Sequence, residues 1–393
     1  MSLSVSQRVQ RVKPSPTMAI TALAAELRAQ GRDIIGLGAG EPDFDTPEHI
    51  KAAAIEAIRA GQTKYTAVDG TPALRDAIAE KYRRDNGLDY ARDQILVSSG
   101  AKQSCYNVCI ATLNRGDEAI VPAPYWVSYP DMIKLAEAEP VIIPASIDDG
   151  FKITPRALEV SITDKTRLMF LNSPSNPTGA AYTAAELRAL GDVLVQHPDI
   201  VIAADDMYEH IYWADEPFTS FASACPDLID RTVTINGVSK CYAMTGWRIG
   251  YAGGPETIIK AMKKVQSQST SNPSSISQAA SLAALTGDQS CIAEMLVAFR
   301  ERHDYVVGAL NEIPGVACLP GAGTFYAFPN VSEACESHDL ADDSALTELL
   351  LNEAEVAVVP GVAFGAPGYV RLSFACSLET LQDAIGRIRK VLA

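Results

Sequence analysis

Short apolar and β-branched runs alternate with stretches of helical periodicity through the middle of the chain. QILV (94–97) precedes a helical run from Ala101 to Leu113, and EAIVP (118–122) follows it. RLMFL (167–171) leads into a loop and the helix AAELRALGDVLVQ, after which come DIVIAA (199–204) and TVTIN (232–236). Strands separated by helices predict parallel pairing with right-handed crossovers, hence an α/β sheet. The C-terminal part differs, with PGVACLPG, GTFYAFP, EVAVVPG and YVRLSFA followed by the helix LETLQDAIGRIRKVL. It predicts a smaller α+β domain. The expected division is a large domain over 46–290 and a small one over 291–393. The N-terminal segment, 1–45, is expected to join the small domain, because GLGAGEPDFDTP is loop-like and precedes the first strong helix.

Composition narrows the picture. The chain has 393 residues, 47% hydrophobic and 21% charged, enough for a large core. A net charge of −15 repels phosphate backbones and anionic lipid, so no nucleic acid and no membrane is expected as a partner. Gly or Pro breaks each apolar run before the ~18 residues of a membrane span. MSLSVSQRVQRVKPSP has no apolar core of a signal peptide. Eight cysteines without a CxxC pair, and five scattered histidines, predict a reduced, cytoplasmic protein without a metal site.

Candidate chemistry lies where the strands end, because open α/β sheets bind ligands beyond the carboxyl ends of their strands. After QILV come Ser98-Ser99-Gly100-Ala101, opening a helix whose free N–H groups suit an anion or simply make a turn. After RLMFL comes Asn176, before a proline, as apt for a turn as for a site. After DIVIAA come Asp205 and, three residues on, Tyr208; a carboxylate behind so apolar a strand is a core ion pair or a ligand group. After TVTIN come Ser239 and Lys240, and eight residues later Arg248, a fork suited to a phosphate or to a surface ion pair. A lysine nucleophile, a carboxylate for a ring nitrogen and a phosphate cradle together meet the requirements of pyridoxal 5′-phosphate.

NGVSKCYAMTGWRIGY, taken with GEPDFDTPEHI, TKYTAVDG, PYWVSYP, NSPSNPTG, ADDMYEH, VVPGVAFG and YVRLSFA in this order, resembles the class I, fold-type I aminotransferases. The resemblance runs nearly end to end and is to the bacterial aspartate aminotransferase branch called Iβ. It implies a large domain with a mostly parallel seven-stranded sheet and a smaller α+β domain. It also implies that Lys240 is both nucleophile and general base, with Asp205 on the cofactor's ring nitrogen. Tyr208 and Asn176 are expected on the ring's 3′ oxygen, and Gly100, Ala101, Ser239 and Arg248 around the phosphate. Trp126 is expected to stack over the ring. Arg371, an odd charge in the apolar strand YVRLSFA, and Gly40 are expected on the substrate α-carboxylate. Tyr65 is expected to reach the neighbouring subunit's phosphate, which makes the enzyme a homodimer with shared sites.

No arginine lies between Arg248 and Arg300, so the mobile arginine with which another aspartate aminotransferase branch reads the side-chain carboxylate is not placed in this chain. The Iβ branch resembles this chain in using Lys102 with Ser15 and Thr17, and members with that Thr and Lys pair often accept prephenate. The expected reaction is L-aspartate with 2-oxoglutarate giving oxaloacetate and L-glutamate. The alternatives are alanine, aromatic or other transamination on the same scaffold, a pyridoxal-phosphate lyase, or a non-catalytic protein of this fold.

Overall fold

The computed structural model describes residues 3–393. Seven strands form the central sheet: β2 (Ile95–Ser98), β3 (Glu118–Ala123), β4 (Glu139–Pro144), β5 (Thr166–Asn172), β6 (Val201–Asp205), β7 (Thr232–Gly237) and β8 (Gly250–Gly253). Their order is β2-β8-β7-β6-β5-β3-β4, and only β8 runs against its neighbours. Helices cover both faces of the parallel strands, so every residue of β7 and all but the first of β6 are buried, the polar Thr232, Thr234, Asn236 and Asp205 included. The expected mostly parallel sheet is present. EPVIIP, which forms β4, carried no strand expectation; prolines at both ends mask its β character.

The antiparallel strand positions the site. With β8 reversed, its amino end lies at the sheet edge where β2, β5, β6 and β7 present their carboxyl ends. Arg248, two residues before β8, is thereby delivered to that edge, with a left-handed backbone (φ 58). Gly250 lets β8 pass the helix Ala101–Thr112: a Cβ there would lie 2.0 Å from the Ala101 nitrogen.

The C-terminal region holds β9 (Tyr326–Ala327), β11 (Val359–Pro360) and β12 (Val370–Ser373) in a three-stranded antiparallel sheet. β1 (Ile35–Gly36) pairs in parallel with β10 (Val356–Ala357), so the N-terminal segment is bound to C-terminal chain. Beyond β1, the Leu37 amide donates to Ala357 and the Ser373 amide to the Leu37 carbonyl, at 2.9 and 2.7 Å. The helix Leu378–Leu392 forms where its amphipathic pattern predicts, capped by the Ser377 hydroxyl. Among the described residues no single helix is long and apolar enough to cross a membrane.

Candidate active site

A cavity of about 500 Å³ lies at the carboxyl edge of the sheet, closed on its other side by residues 38–41, Tyr326 and Arg371. Its wall includes Thr17, Gly40, Ala101, Lys102, Trp126, Asn176, Asp205, Tyr208, Ser239, Lys240, Arg248 and Arg371, most of the residues the strand ends and motifs pointed to. Ser15 lines an adjoining cavity that shares Lys102 and Arg248, and its hydroxyl lies 3.0 Å from that of Thr17. Gly100 sits behind Ala101. Tyr65 is outside, 93% exposed on the single chain.

Four cations (Lys102, Lys240, Arg248, Arg371) and two carboxylates (Glu41, Asp205) face this cavity, although the whole chain is strongly acidic. Such an excess within low-dielectric walls attracts anions. Lys240 Nζ donates to the Gly40 carbonyl at 2.5 Å. Burial, then the charge of Arg371, brings its amine down to about 8; Glu41 and Asp205 pull the other way.

Arg371 is 2% exposed. It donates to Asn176 Oδ1 at 2.9 Å and to the Gly38 carbonyl at 2.7 Å, and its guanidinium lies over the Tyr326 and Phe364 rings. Among the described residues no carboxylate pairs with it, and its Nε has no partner. A buried guanidinium in that state is a receptor for a carboxylate.

Asp205 ends β6 and is 6% exposed. Burial pushes its carboxyl up, opposed by hydrogen bonds from Tyr129 and the Met207 amide. Asn172, the last residue of β5, ties the neighbouring strand ends together: its Nδ2 donates to the Asp205 carbonyl and its Oδ1 accepts from the Asn176 amide. Tyr208 and Tyr326 hydroxyls meet at 3.1 Å. Gly100 (φ 87) opens the helix Ala101–Thr112, and a Cβ there would lie 2.2 Å from Arg248 Nη2, so the bare glycine admits the guanidinium to the helix start. Lys102 Nζ stands 4.9 Å from the Trp126 ring centroid.

Tyr129, Asn172, Tyr326 and Glu41 are the site residues that sequence reasoning missed. Tyr129 and Tyr326 sit in apolar runs where a tyrosine reads as packing. Asn172 was legible as a strand-end residue beside Asn176.

An α/β sheet with one reversed strand, a buried lysine of lowered basicity and cationic groups at its carboxyl edge define an enzyme for anionic substrates. The chain belongs to the class I and II aminotransferases, whose family model matches residues 32–388. It is 56% identical, over all of both chains, to the aspartate/prephenate aminotransferase of Nitrosomonas europaea. The crystal structure of the Rhizobium meliloti aspartate aminotransferase superposes with a TM-score of 0.95 at 48% identity, covering 100% of this chain and 99% of that one. That of Thermus thermophilus aspartate aminotransferase with maleate superposes with a TM-score of 0.93 at 43% identity, covering 99% and 100%.

Proposed function

We propose that this aminotransferase uses pyridoxal 5′-phosphate to exchange the amino group of L-aspartate with 2-oxoglutarate, and that it also accepts prephenate, yielding arogenate. The observation that carries the substrate reading is Arg371, a buried guanidinium with no acid of its own, in a cavity that also holds Lys102. A dicarboxylate would bring one carboxylate to each.

The residues fit the cofactor. The bare face of Gly100, the Arg248 fork and the helix start at Ala101, with Ser239, would hold a phosphate. Asp205, buried without a cationic side chain hydrogen-bonded to it, suits a protonated ring nitrogen. Lys240 would hold the cofactor through its amine, Trp126 would flank the ring, and Tyr208 and Asn176 would face its 3′ oxygen. When bound, the cofactor supplies an electron sink for the substrate carbanion.

The chain's own part is binding, orientation and proton movement. Arg371, with Asn176 and Gly40, grips the α-carboxylate and so fixes Cα. The Lys240 amine, unprotonated in part near neutral pH, takes the proton from Cα and returns it. Lys102, with Ser15 and Thr17, reads the second carboxylate.

The same reading makes the enzyme a cytoplasmic homodimer in which Tyr65 completes the neighbour's site. Residues 46–290 form its cofactor-binding domain, and 291–393 with the N-terminal segment form the smaller one. The test is a panel of amino donors (aspartate, glutamate, alanine, phenylalanine) against 2-oxoglutarate, oxaloacetate and prephenate. Aspartate should be the best donor to 2-oxoglutarate. A preference for alanine or phenylalanine over aspartate would overturn the substrate assignment.

A further inference from the structure

We propose that Tyr129 is a positioning residue that holds the Asp205 carboxylate ionised and correctly turned for the ring nitrogen of the cofactor; this rests on the pyridoxal-phosphate reading above. The Tyr129 hydroxyl donates to Asp205 Oδ2 at 2.6 Å, the shortest contact that carboxylate makes. The Met207 amide donates to Oδ1 at 3.3 Å, and Cys105 Sγ lies 3.9 Å from Oδ2. Three donors thus come from three places: the helix Tyr129–Leu135, the turn after β6 and the helix Ala101–Thr112. All are neutral, so orientation is supplied without an ion pair that would compete for the carboxylate's charge.

Tyr129 is itself held on two sides. Its ring stacks on Phe170 of β5, with centroids 4.5 Å apart and planes at 18°, and meets the Trp126 ring edge-on at 5.3 Å. It is 2% exposed. Burial and the nearby Asp205 charge push its phenol well above the ordinary range, so it stays a donor at any working pH. The other titratable groups that act on Asp205 are Cys105, Lys240, Asp206 and Tyr208. Of these, only Lys240 is a cation.

The chemistry sets a sign. A short hydrogen bond to the charged form favours ionisation and opposes desolvation. Removing the hydroxyl while keeping the ring lets the Asp205 carboxyl rise further. Asp205 then becomes neutral at a higher pH and loses its attraction for a protonated ring nitrogen.

The experiment uses apo protein titrated with pyridoxal 5′-phosphate at a series of pH values, alongside thermal melts. Tyr129→Phe should weaken cofactor affinity about tenfold near neutral pH, the effect of one charge-assisted hydrogen bond. The pH below which affinity falls should move upward. In an Asp205→Asn background the same change should add little. Cys105→Ser leaves the tyrosine and its packing in place and brings a stronger donor to Oδ2; it should move that pH limit downward. Unchanged affinity and an unchanged pH limit in Tyr129→Phe, or an unmoved limit in Cys105→Ser if the tyrosine variant melts early, would overturn the proposal. Wild-type protein that fails to bind pyridoxal 5′-phosphate would instead overturn the cofactor reading.

Discussion

Lys81 is sealed inside the protein and Lys240 lines the internal cavity, and their surroundings are opposites. Lys81, 1% exposed on the helix Pro72–Asn86, forms an ion pair with the equally buried Glu209 and donates to Asn86 Oδ1 at 2.8 Å. Burial pulls the Glu209 carboxyl up, but Lys81, His210 and Asn86 outweigh it and leave it lowered. Lys240 has only the Gly40 carbonyl, and burial near Arg371 weakens its hold on a proton. Lys81 has its charge compensated by its own chain and works as a fastener between a helix and the turn after β6. Lys240 and Arg371 are left uncompensated and face a cavity. The contrast teaches that burial alone does not mark a functional cation; burial without an acid partner does.

The widest gap between the two lysines is in turnover. Lys240→Ala should lower the transamination rate by at least roughly 10²–10⁴, the share of a positioned proton carrier, while apo protein still binds pyridoxal 5′-phosphate. Near wild-type turnover of the purified variant would erase the distinction. Stability should separate them in the other direction. Lys81→Met strands the Glu209 carboxylate and should cost about 3–5 kcal/mol in denaturant unfolding. Lys240→Met removes a single hydrogen bond and should cost about 1 kcal/mol or less. Equal losses would mean that pairing does not distinguish them.

Lys102 sharpens the comparison at the cavity rim. Lys102→Ala should lower kcat/KM for aspartate by roughly one to three powers of ten, the loss of a charged hydrogen bond plus misorientation. Reactions of phenylalanine should change much less, so the ratio of the two activities is the quantity to measure. The smallest effect is in pH dependence. In apo protein the Lys240 amine releases its proton near 8, whereas in the unfolded chain it does so near 10.5. Between these values the unfolded state binds more protons, so this group makes stability rise with pH by at most about 1.4 kcal/mol per unit. The slope should be flatter in Lys240→Met, and identical slopes would refute the lowered basicity.

The site was legible where a polar residue interrupts an apolar run at a strand end. Asp205 after DIVIAA, Lys240 after TVTIN and Arg371 within YVRLSFA violate the local pattern, and such violations gather at functional sites. Tyr129 violates nothing: a tyrosine among apolar neighbours reads as core, and its bond to Asp205 joins residues far apart in sequence. Lys81 was illegible for the converse reason. In ALRDAIAEKYRRDN one charge among many reads as a solvated helix face, and its partner Glu209 is far along the chain. The reversed strand β8 was hidden because WRIGYAGG is an apolar run that could pair in either direction.

The backbone after β1 has a mechanical consequence. The Gly38 carbonyl holds Arg371 and the Gly40 carbonyl holds Lys240, while Leu37 is stitched to β12 and to the end of β10. Residues 37–40 act as a crossbar between the group that grips a carboxylate and the group that moves a proton. A shift of about 1 Å in the crossbar would re-aim both together, and misplacement on that scale costs about 10²-fold in rate. Loop grafts from a relative would therefore carry over both alignments or neither.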